Sequence, residues 1–236
     1  MNEAFERLLQ RAEQLMVRIE AVLPQPMSAP DWAAAVAWRY RKRSSGHGVL
    51  EPVRHVGAMR LDDLQEIDGQ KEKIQRNTLQ FVQGLPANNV LLTGARGTGK
   101  SSLVRAMLSR YAAQGLRLIE VDKSDLLFLQ DVVDLVNGRP ERFIVFCDDL
   151  SFEDGELGYK ALKSMLDGSV SAASPNVLIY ATSNRRHLLP EYHKENLAYT
   201  HTEDGEVHPG EAVDEKNTLS ERVGLWVRFY PFSQDE

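Results

Sequence analysis

Apolar residues in this chain form short runs, separated by stretches in which they recur every three or four positions. The runs predict buried strands, and the longer spacing predicts amphipathic helices. Because strands and helices alternate from about residue 61 onward, the pattern predicts a doubly wound parallel α/β sheet flanked by helices, with ligands at the carboxyl ends of the strands. The predicted strands span residues 90–93, 116–121, 143–147, 177–181 and 225–230, and the predicted helices lie near 70–83, 101–114, 124–137 and 158–166.

The N-terminal part has a different pattern. Apolar residues recur there at helical spacing and predict an amphipathic first helix, which the proline-rich stretch 24–30 ends. Asp31 suits the cap of a second helix, from residue 32 to about 41. The apolar positions of the first helix are Phe5, Leu8, Leu9, Ala12, Leu15, Met16, Ile19 and Val22.

The densest basic cluster of the chain, residues 39–43, ends the second predicted helix. Cations there suit the carboxyl end of a helix, and they also suit contact with a phosphate backbone or an acidic partner. Both interpretations stay open on the sequence. The two helices predict an N-terminal helical extension and linker over 1–60, followed by an α/β core over 61–236 with a polar insertion at about 185–221.

Length and composition narrow the class of protein. The 236 residues suffice for one α/β domain with an appendage. A net charge of −6 argues against broad adhesion to nucleic acid, although a local basic patch can still act. Cys147 is the only cysteine, which excludes an internal disulfide and fits a reducing compartment. No apolar run approaches the length of a membrane span, so we expect a cytoplasmic protein.

Residues 94–101 read Gly-Ala-Arg-Gly-Thr-Gly-Lys-Ser and match the pattern G-x-x-x-x-G-K-[ST], between a predicted strand and a predicted helix. Glycines allow successive N–H groups to turn toward one anion. Lys100 is expected to reach the β- and γ-phosphates, and the Ser101 hydroxyl is expected to ligate Mg²⁺. This motif predicts nucleotide binding. The expected binding residues are Gly94, Ala95, Arg96, Gly97, Thr98, Gly99, Lys100, Ser101 and Ser102.

Hydrolysis of a bound nucleotide also needs a metal anchor, a positioned water and compensation of the γ-phosphate charge. Asp148 follows a buried strand, where its carboxylate can face the Mg²⁺ on Ser101. Asn184 ends the next strand at an equivalent height, where its amide can orient water or contact the γ-phosphate. Arg222 precedes the last strand and can act on a neighbouring subunit's nucleotide. Each also has a structural alternative, which is a cap or turn for Asp148 and Asn184 and an exposed structural role for Arg222.

Several segments together resemble known families. Four segments resemble the AAA+ ATPases: GARGTGKS at 94–101, FIVFCDD at 143–149, YATSN at 180–184 and LSERVGLW at 219–226. The chain resembles more closely a bacterial family of ATP-binding proteins of unknown function. The segments that carry this resemblance are SNRRHL at 183–188, EVHPGEAV at 206–213 and LSERVGLWVRFYPF at 219–232. The likeness covers most of the chain from about Leu61.

The resemblance implies an ATP-binding AAA+ ATPase that assembles with itself. It implies that Asp148 is the Mg²⁺-associated acid of the second phosphate motif and that Asn184 is the polar sensor residue. Arg222 falls where the family places its arginine finger. The segment from Leu64 to Gly69 is similar to the one that packs near the adenine.

Two departures from the AAA+ pattern affect catalysis. AAA+ enzymes usually carry Asp-Glu where this chain has Asp148-Asp149. The shorter Asp149 is expected to hold the lytic water poorly, and Glu153 is a candidate substitute. The chain also stops at Glu236, shortly after the last predicted strand, and does not include the small helical lid with its sensor arginine. Either the sequence is truncated before a lid, or the protein lacks a normal one. Both departures predict weak nucleotide affinity and slow turnover.

Three functions fit these observations. The first is Mg²⁺-dependent ATP hydrolysis coupled to self-assembly and to action on a partner. The second is a nucleotide-gated adaptor or loader with little hydrolysis, and the third is a small-molecule phosphotransferase, against which Asn184 and Arg222 argue. The sequence does not name the partner: DNA, a replication or repair factor, and a protein to be remodelled all stay open.

Overall fold

A seven-stranded sheet forms the centre of the computed structural model. Its strands are β1 (Ala37–Lys42), β2 (Gly48–Pro52), β3 (Val90–Gly94), β4 (Leu116–Glu120), β5 (Arg142–Cys147), β6 (Val177–Ser183) and β9 (Leu225–Phe229), while β7 (Thr200–His201) and β8 (Val207–His208) pair separately. They lie in the order β2-β1-β4-β5-β6-β3-β9, and every neighbouring pair is parallel except β1 with β2. The structure describes residues 3–22, 27–43, 48–153, 156–166, 174–185, 188, 200–201, 207–208 and 224–231.

Helices cover both faces of this sheet. One buried cluster joins the helices that carry Ile74 and Met107 to the sheet, and a second joins the helices that carry Val132 and Leu162 to its opposite face. This arrangement confirms the predicted doubly wound α/β fold. The helices are α1 (Glu3–Val22), α2 (Asp68–Val82), α3 (Lys100–Tyr111), α4 (Leu129–Val136) and α5 (Leu157–Leu166), with 3₁₀ turns at Leu61–Asp63, Ala112–Gln114 and Lys123–Phe128.

The predicted second helix, from residue 32 to about 41, is wrong. Residues 37–42 form strand β1, which pairs in parallel with β4 and antiparallel with β2. Trp38 and Tyr40 are fully buried, whereas Arg39 between them is only half-buried. This alternation is the period of a strand with one face in the core. The sheet therefore extends into the predicted 1–60 segment, and the boundary at residue 60 stays a prediction.

Cations of the basic cluster 39–43 have partners within the sheet. The Arg39 guanidinium lies 2.7 Å from the Glu120 carboxylate, and the Arg41 guanidinium lies 3.1 Å from that of Asp122. The Lys42 ammonium lies 5.0 Å from the centroid of the Phe128 ring, a cation–π distance. Because these residues form a strand, the interpretation as cations at a helix carboxyl end is also wrong.

Most of the remaining predicted elements of the core agree with the structure within one to three residues, and α1 matches the predicted first helix. The exception is α4, which begins at Leu129, five residues after the predicted start at 124, because a 3₁₀ turn occupies Lys123–Phe128. Most of the predicted polar insertion, 185–221, lies outside the described residues. None of the described helices is long and apolar enough to cross a membrane.

Candidate functional site

The glycine loop joins the end of β3 to the start of α3. Gly94, Gly97 and Gly99 have φ angles of 143°, 82° and 88°, a region in which other residues are strained. Gly94 is constrained a second time, because a Cβ there would lie 2.1 Å from the carbonyl oxygen of Phe229 on β9. The first glycine is thus required by strand packing as well as by the turn.

Lys100 is buried at the start of α3 and is held by the loop itself. Its ammonium donates to the carbonyl oxygens of Gly94 and Ala95, at 2.7 and 2.6 Å. Burial lowers the pKa of Lys100, and the Asp149 and Asp148 carboxylates partly oppose this shift. The ammonium therefore occupies a partly desolvated position, where an incoming phosphate can replace the carbonyl acceptors with a stronger, charged one.

Asp148 directly follows β5, and its carboxylate is held by donors from three directions. The Ser101 hydroxyl donates to Asp148 Oδ1 at 2.6 Å, the Thr182 hydroxyl at 2.5 Å and the Asp149 N–H at 3.2 Å. Among the described residues, no hydrogen bond falls on Oδ2. One carboxylate oxygen is thus fixed by the protein, and the other is available to a cation or to water.

Asp149 has an unusual backbone, with φ at 52°. Aspartate and asparagine tolerate this left-handed region better than most residues. The Asp149 N–H donates to the Thr182 hydroxyl at 2.8 Å, and its carboxylate accepts a hydrogen bond from the Asn184 amide. The residues at the ends of β5 and β6 are therefore joined side chain to side chain.

These groups converge on one cavity of about 270 Å³. The exposed Arg96 is part of its wall. A hydroxyl next to a carboxylate, as in Ser101 and Asp148, offers the hard oxygen ligands that Mg²⁺ prefers, with water and phosphate oxygens completing its shell. The other lining residues are Gly97, Thr98, Gly99, Lys100, Ser102, Asp149, Thr182 and Asn184.

A second cavity, of about 550 Å³, adjoins the first across the glycine loop. Its outer wall is the segment 63–67, in which Leu64 and Ile67 are buried. Lys71 fixes this segment, since its ammonium donates to the Leu64 carbonyl oxygen at 2.6 Å. The segment thus places two apolar side chains beside the phosphate cradle, and the packing of residues 64–69 near an adenine stays a prediction.

The sequence also suggested Glu153 and Arg222 as residues of the site. Glu153 forms an ion pair with Arg185 at 3.1 Å and does not line the cavity of about 270 Å³, so the structure does not place it as a substitute for the usual glutamate. Arg222 lies outside the described residues.

Sequence reasoning missed Thr182. It is buried, and its hydroxyl contacts both acidic residues of the second motif. The only signal for it was its place in the predicted strand ending YATSN, two residues before Asn184.

A family model described as "Protein of unknown function (DUF815)" matches residues 33–236. The chain belongs to the DUF815 family. This match includes the whole seven-stranded sheet and every residue of the cavity, whereas α1 precedes it. The glycine loop between β3 and α3, set in this mostly parallel sheet, gives the family member a P-loop fold. No curated protein matches the sequence.

Solved structures of two proteins have a distant likeness to this DUF815 chain. One is the Holliday junction branch migration motor RuvB from Thermotoga maritima, at 16% identity over 75% of this chain and 50% of that one, with a TM-score of 0.44. A point variant of RuvB has 15% identity to this chain and a TM-score of 0.46. The other protein is DnaI, at 18% identity over 77% of this chain and 92% of that one, with a TM-score of 0.46. The chain thus spans half of RuvB, and at these scores the likeness carries no functional argument.

Proposed function

We propose that this DUF815 protein binds ATP with Mg²⁺ and hydrolyses the β–γ phosphoanhydride bond, as a slow ATPase of the AAA+ type. One observation carries the proposal. One cavity of about 270 Å³ is surrounded by the buried side chain of Lys100, the Ser101 hydroxyl, both acidic side chains of 148–149 and the Asn184 amide.

Each residue has a role that follows from its position. Lys100 exchanges the carbonyl oxygens of its own loop for the β- and γ-phosphates. The N–H groups at the start of α3 add the positive end of the helix dipole. Ser101 and Asp148 would hold Mg²⁺, which when bound neutralises phosphate charge. Asp149 positions the attacking water and accepts its proton, while Asn184 orients the carboxylate of Asp149.

A second candidate function, a nucleotide-gated adaptor or loader with little hydrolysis, is favoured by one detail. The carboxylate of Asp149 is short and already accepts the Asn184 amide, so it has less freedom to take up a water molecule. ATP turnover is slow for both functions, so they differ only in how slow it is.

The test is phosphate release from Mg·ATP by the full chain, together with binding of a non-hydrolysable ATP analogue. We expect slow release that falls at least tenfold in Asp149→Asn, while analogue affinity stays within about threefold of wild type. Analogue binding without any release in the wild type would favour the adaptor. Release of free phosphate without an added acceptor argues against a phosphotransferase.

We also propose that the protein assembles with itself and that Arg222 acts on the nucleotide of a neighbouring subunit. The support is the sequence resemblance of the segment 219–226. Arg222→Ala should abolish turnover and leave analogue binding largely intact. Equal loss of both would contradict a role in trans.

We propose that the nucleotide state of this DUF815 protein acts on a partner that is either DNA or another protein. We also propose that the DUF815 protein works in the cytoplasm. Turnover measured with and without DNA, together with molecular mass in ATP and in ADP, separates these partners. A rise in turnover on DNA supports a nucleic-acid partner, and indifference to DNA favours a protein.

A further inference from the structure

Helix α1 presents an apolar surface that the described part of the chain does not cover. Its side chains are among the most exposed large apolar groups described, with Leu8 at 64% and Ile19 at 57% relative exposure. Exposure of this kind over a whole helix indicates an interaction surface. This surface, called the α1 seam, consists of Phe5, Leu8, Ala12, Leu15 and Ile19.

The α1 seam has the spacing of a coiled coil. Its members are separated by three, four, three and four residues, which is the a/d pattern of a heptad repeat with Phe5 at a and Leu8 at d. The b, c and f positions between them are mostly polar or charged, for example Glu13 at b and Gln14 at c. An apolar spacing that averages 3.5 residues favours another helix as the occupant, because this period keeps two supercoiled helices in register.

The charges of α1 argue against a membrane surface. The helix carries three arginines and four glutamates and contains neither lysine nor tryptophan. Helices that lie on anionic membranes have an excess of Lys and Arg on the polar face, whereas on α1 the glutamates outnumber the arginines. The occupant of the seam is therefore a protein helix.

The flanking positions select the orientation of that helix. Arg11 and Arg18 occupy g positions, and Leu9 and Met16 occupy e positions. An antiparallel pair would place g residues opposite g residues, so that Arg11 and Arg18 of the two copies would repel each other at both ends. A parallel pair places g opposite e, where the aliphatic stem of Arg11 packs on Met16 of the partner subunit.

We propose that α1 forms a parallel coiled coil with α1 of a second copy of this chain. A helix of 20 residues, just under three heptads, is marginal in isolation, but the self-assembly proposed above would raise the effective concentration of the helices. The proposal therefore rests in part on the proposed self-assembly, but not on ATP hydrolysis, because it uses no residue of the cavity.

The first test is disulfide formation in the full chain with single cysteines introduced on α1. The native Cys147 is fully buried, and burial raises its pKa to about 12, so it does not compete. In a parallel pair, the two copies of Leu15→Cys face each other within the range that a disulfide spans, a Cα separation of about 4.4–6.8 Å. Val17→Cys, at the outward f position, is the matched control.

We expect Leu15→Cys to form a cross-linked dimer at least tenfold faster than Val17→Cys. In an antiparallel pair, position 15 faces position 12 instead, so cross-linking only in a mixture of Ala12→Cys with Leu15→Cys would overturn the orientation. Equal rates for Leu15→Cys and Val17→Cys would overturn the coiled coil itself.

The second test is molecular mass by light scattering, with vesicles of anionic lipid as a separate sample. Leu15→Glu should lower the average mass, and Val17→Glu should not, although both place the same charge on the same exposed helix. Wild-type binding to the vesicles that Leu15→Glu abolishes would overturn the proposal in favour of a membrane. Both variants should bind the ATP analogue as wild type does, and Lys100→Met should still form the dimer, so failure of this proposal is distinct from failure of the proposed function.

Discussion

The phosphate cavity and the basic cluster 39–43 both concentrate charge, but they use it differently. This cluster lies on and just after β1, beside the edge strand β2, and is called the basic edge. At the edge, Arg39 and Arg41 each pair with a carboxylate on or just after β4. In the cavity, the Lys100 ammonium is held by two neutral carbonyl oxygens although two carboxylates lie nearby. An opposite charge satisfies a cation, whereas a neutral acceptor leaves it able to bind an anion more strongly.

This difference shows how to separate structural charge from functional charge in one molecule. The edge pairs are half-exposed, so solvent screens them and their removal costs little. The ammonium in the cavity is buried, and burial lowers its pKa. Because burial disfavours the charged form of Lys100, we expect an anionic ligand to offset that cost when it binds. The predictions below test this contrast.

The largest effect is expected from Lys100→Met, which removes the charge and keeps most of the stem. Loss of one partner from a buried charged hydrogen bond costs about 3 kcal/mol, or about 100-fold in affinity for an ATP analogue. Calorimetric titration measures this loss. Lys123→Met is the matched control, since Lys123 pairs with Glu156 and does not line the cavity of about 270 Å³. Equal affinities for the two variants would contradict the role of Lys100.

The same variant tests the lowered pKa of Lys100. The unfolded chain has the ordinary lysine pKa, so between the lowered value and the ordinary one the unfolded state binds more protons than the folded state. The unfolding free energy of the nucleotide-free protein should therefore rise with pH across that window. Lys100→Met should lack this contribution, as measured by urea unfolding at several pH values. Identical pH profiles for wild type and variant would contradict the shift.

A smaller effect is expected from Thr182→Val, which removes the hydroxyl shared by Asp148 and Asp149 and keeps the shape. Thr182 is a positioning residue, so turnover should fall about 10- to 100-fold, equivalent to about 1.4–2.7 kcal/mol, while analogue affinity changes little. Thr182→Ser restores the hydroxyl and should recover most of the turnover. If Thr182→Ser is as slow as Thr182→Val, packing of the methyl group explains the loss instead.

The cavity was largely predictable from the sequence because its main part is local. Nine consecutive residues define the loop, and their glycines report the backbone shape directly. Thr182 was not predictable in the same way. Its function depends on a contact with Asp148, 34 positions earlier, and an ordinary threonine in an apolar strand carries no local signal for that contact.

Strand β1 was mispredicted for a related reason. Asp31 looks like a helix cap, and a short segment after a cap favours helix on local grounds. The segment is a strand because Trp38 and Tyr40 are buried beneath helices and strands that lie about 80 to 100 residues further along the chain. Alternation of aromatic and cationic residues over 38–42 was the available signal, and it is weak over so few positions.

A third, smaller effect is expected from Asp149→Glu, which restores the usual AAA+ residue. Because φ is 52° at this position, glutamate should lower the unfolding free energy by about 1 kcal/mol. Asp149→Asn, which tolerates this backbone, should lie within about 0.5 kcal/mol of wild type. Asp131→Glu on the exposed start of α4 is the control for side-chain length. Wild-type stability in Asp149→Glu would show that backbone strain does not explain the aspartate.

The smallest effect is expected at the basic edge. Arg41→Ala removes a pair in which both side chains are 46% exposed, so the unfolding free energy should fall by about 0.2–1 kcal/mol, less in high salt. Arg39→Ala should cost more, because the Glu120 carboxylate accepts from two of its nitrogens, at 2.7 and 3.1 Å, and is better buried. Neither variant should change affinity for the ATP analogue by more than twofold. A tenfold loss of affinity in either would show that the edge contributes to binding, and the distinction between structural and functional charge would then fail where it was expected to be clearest.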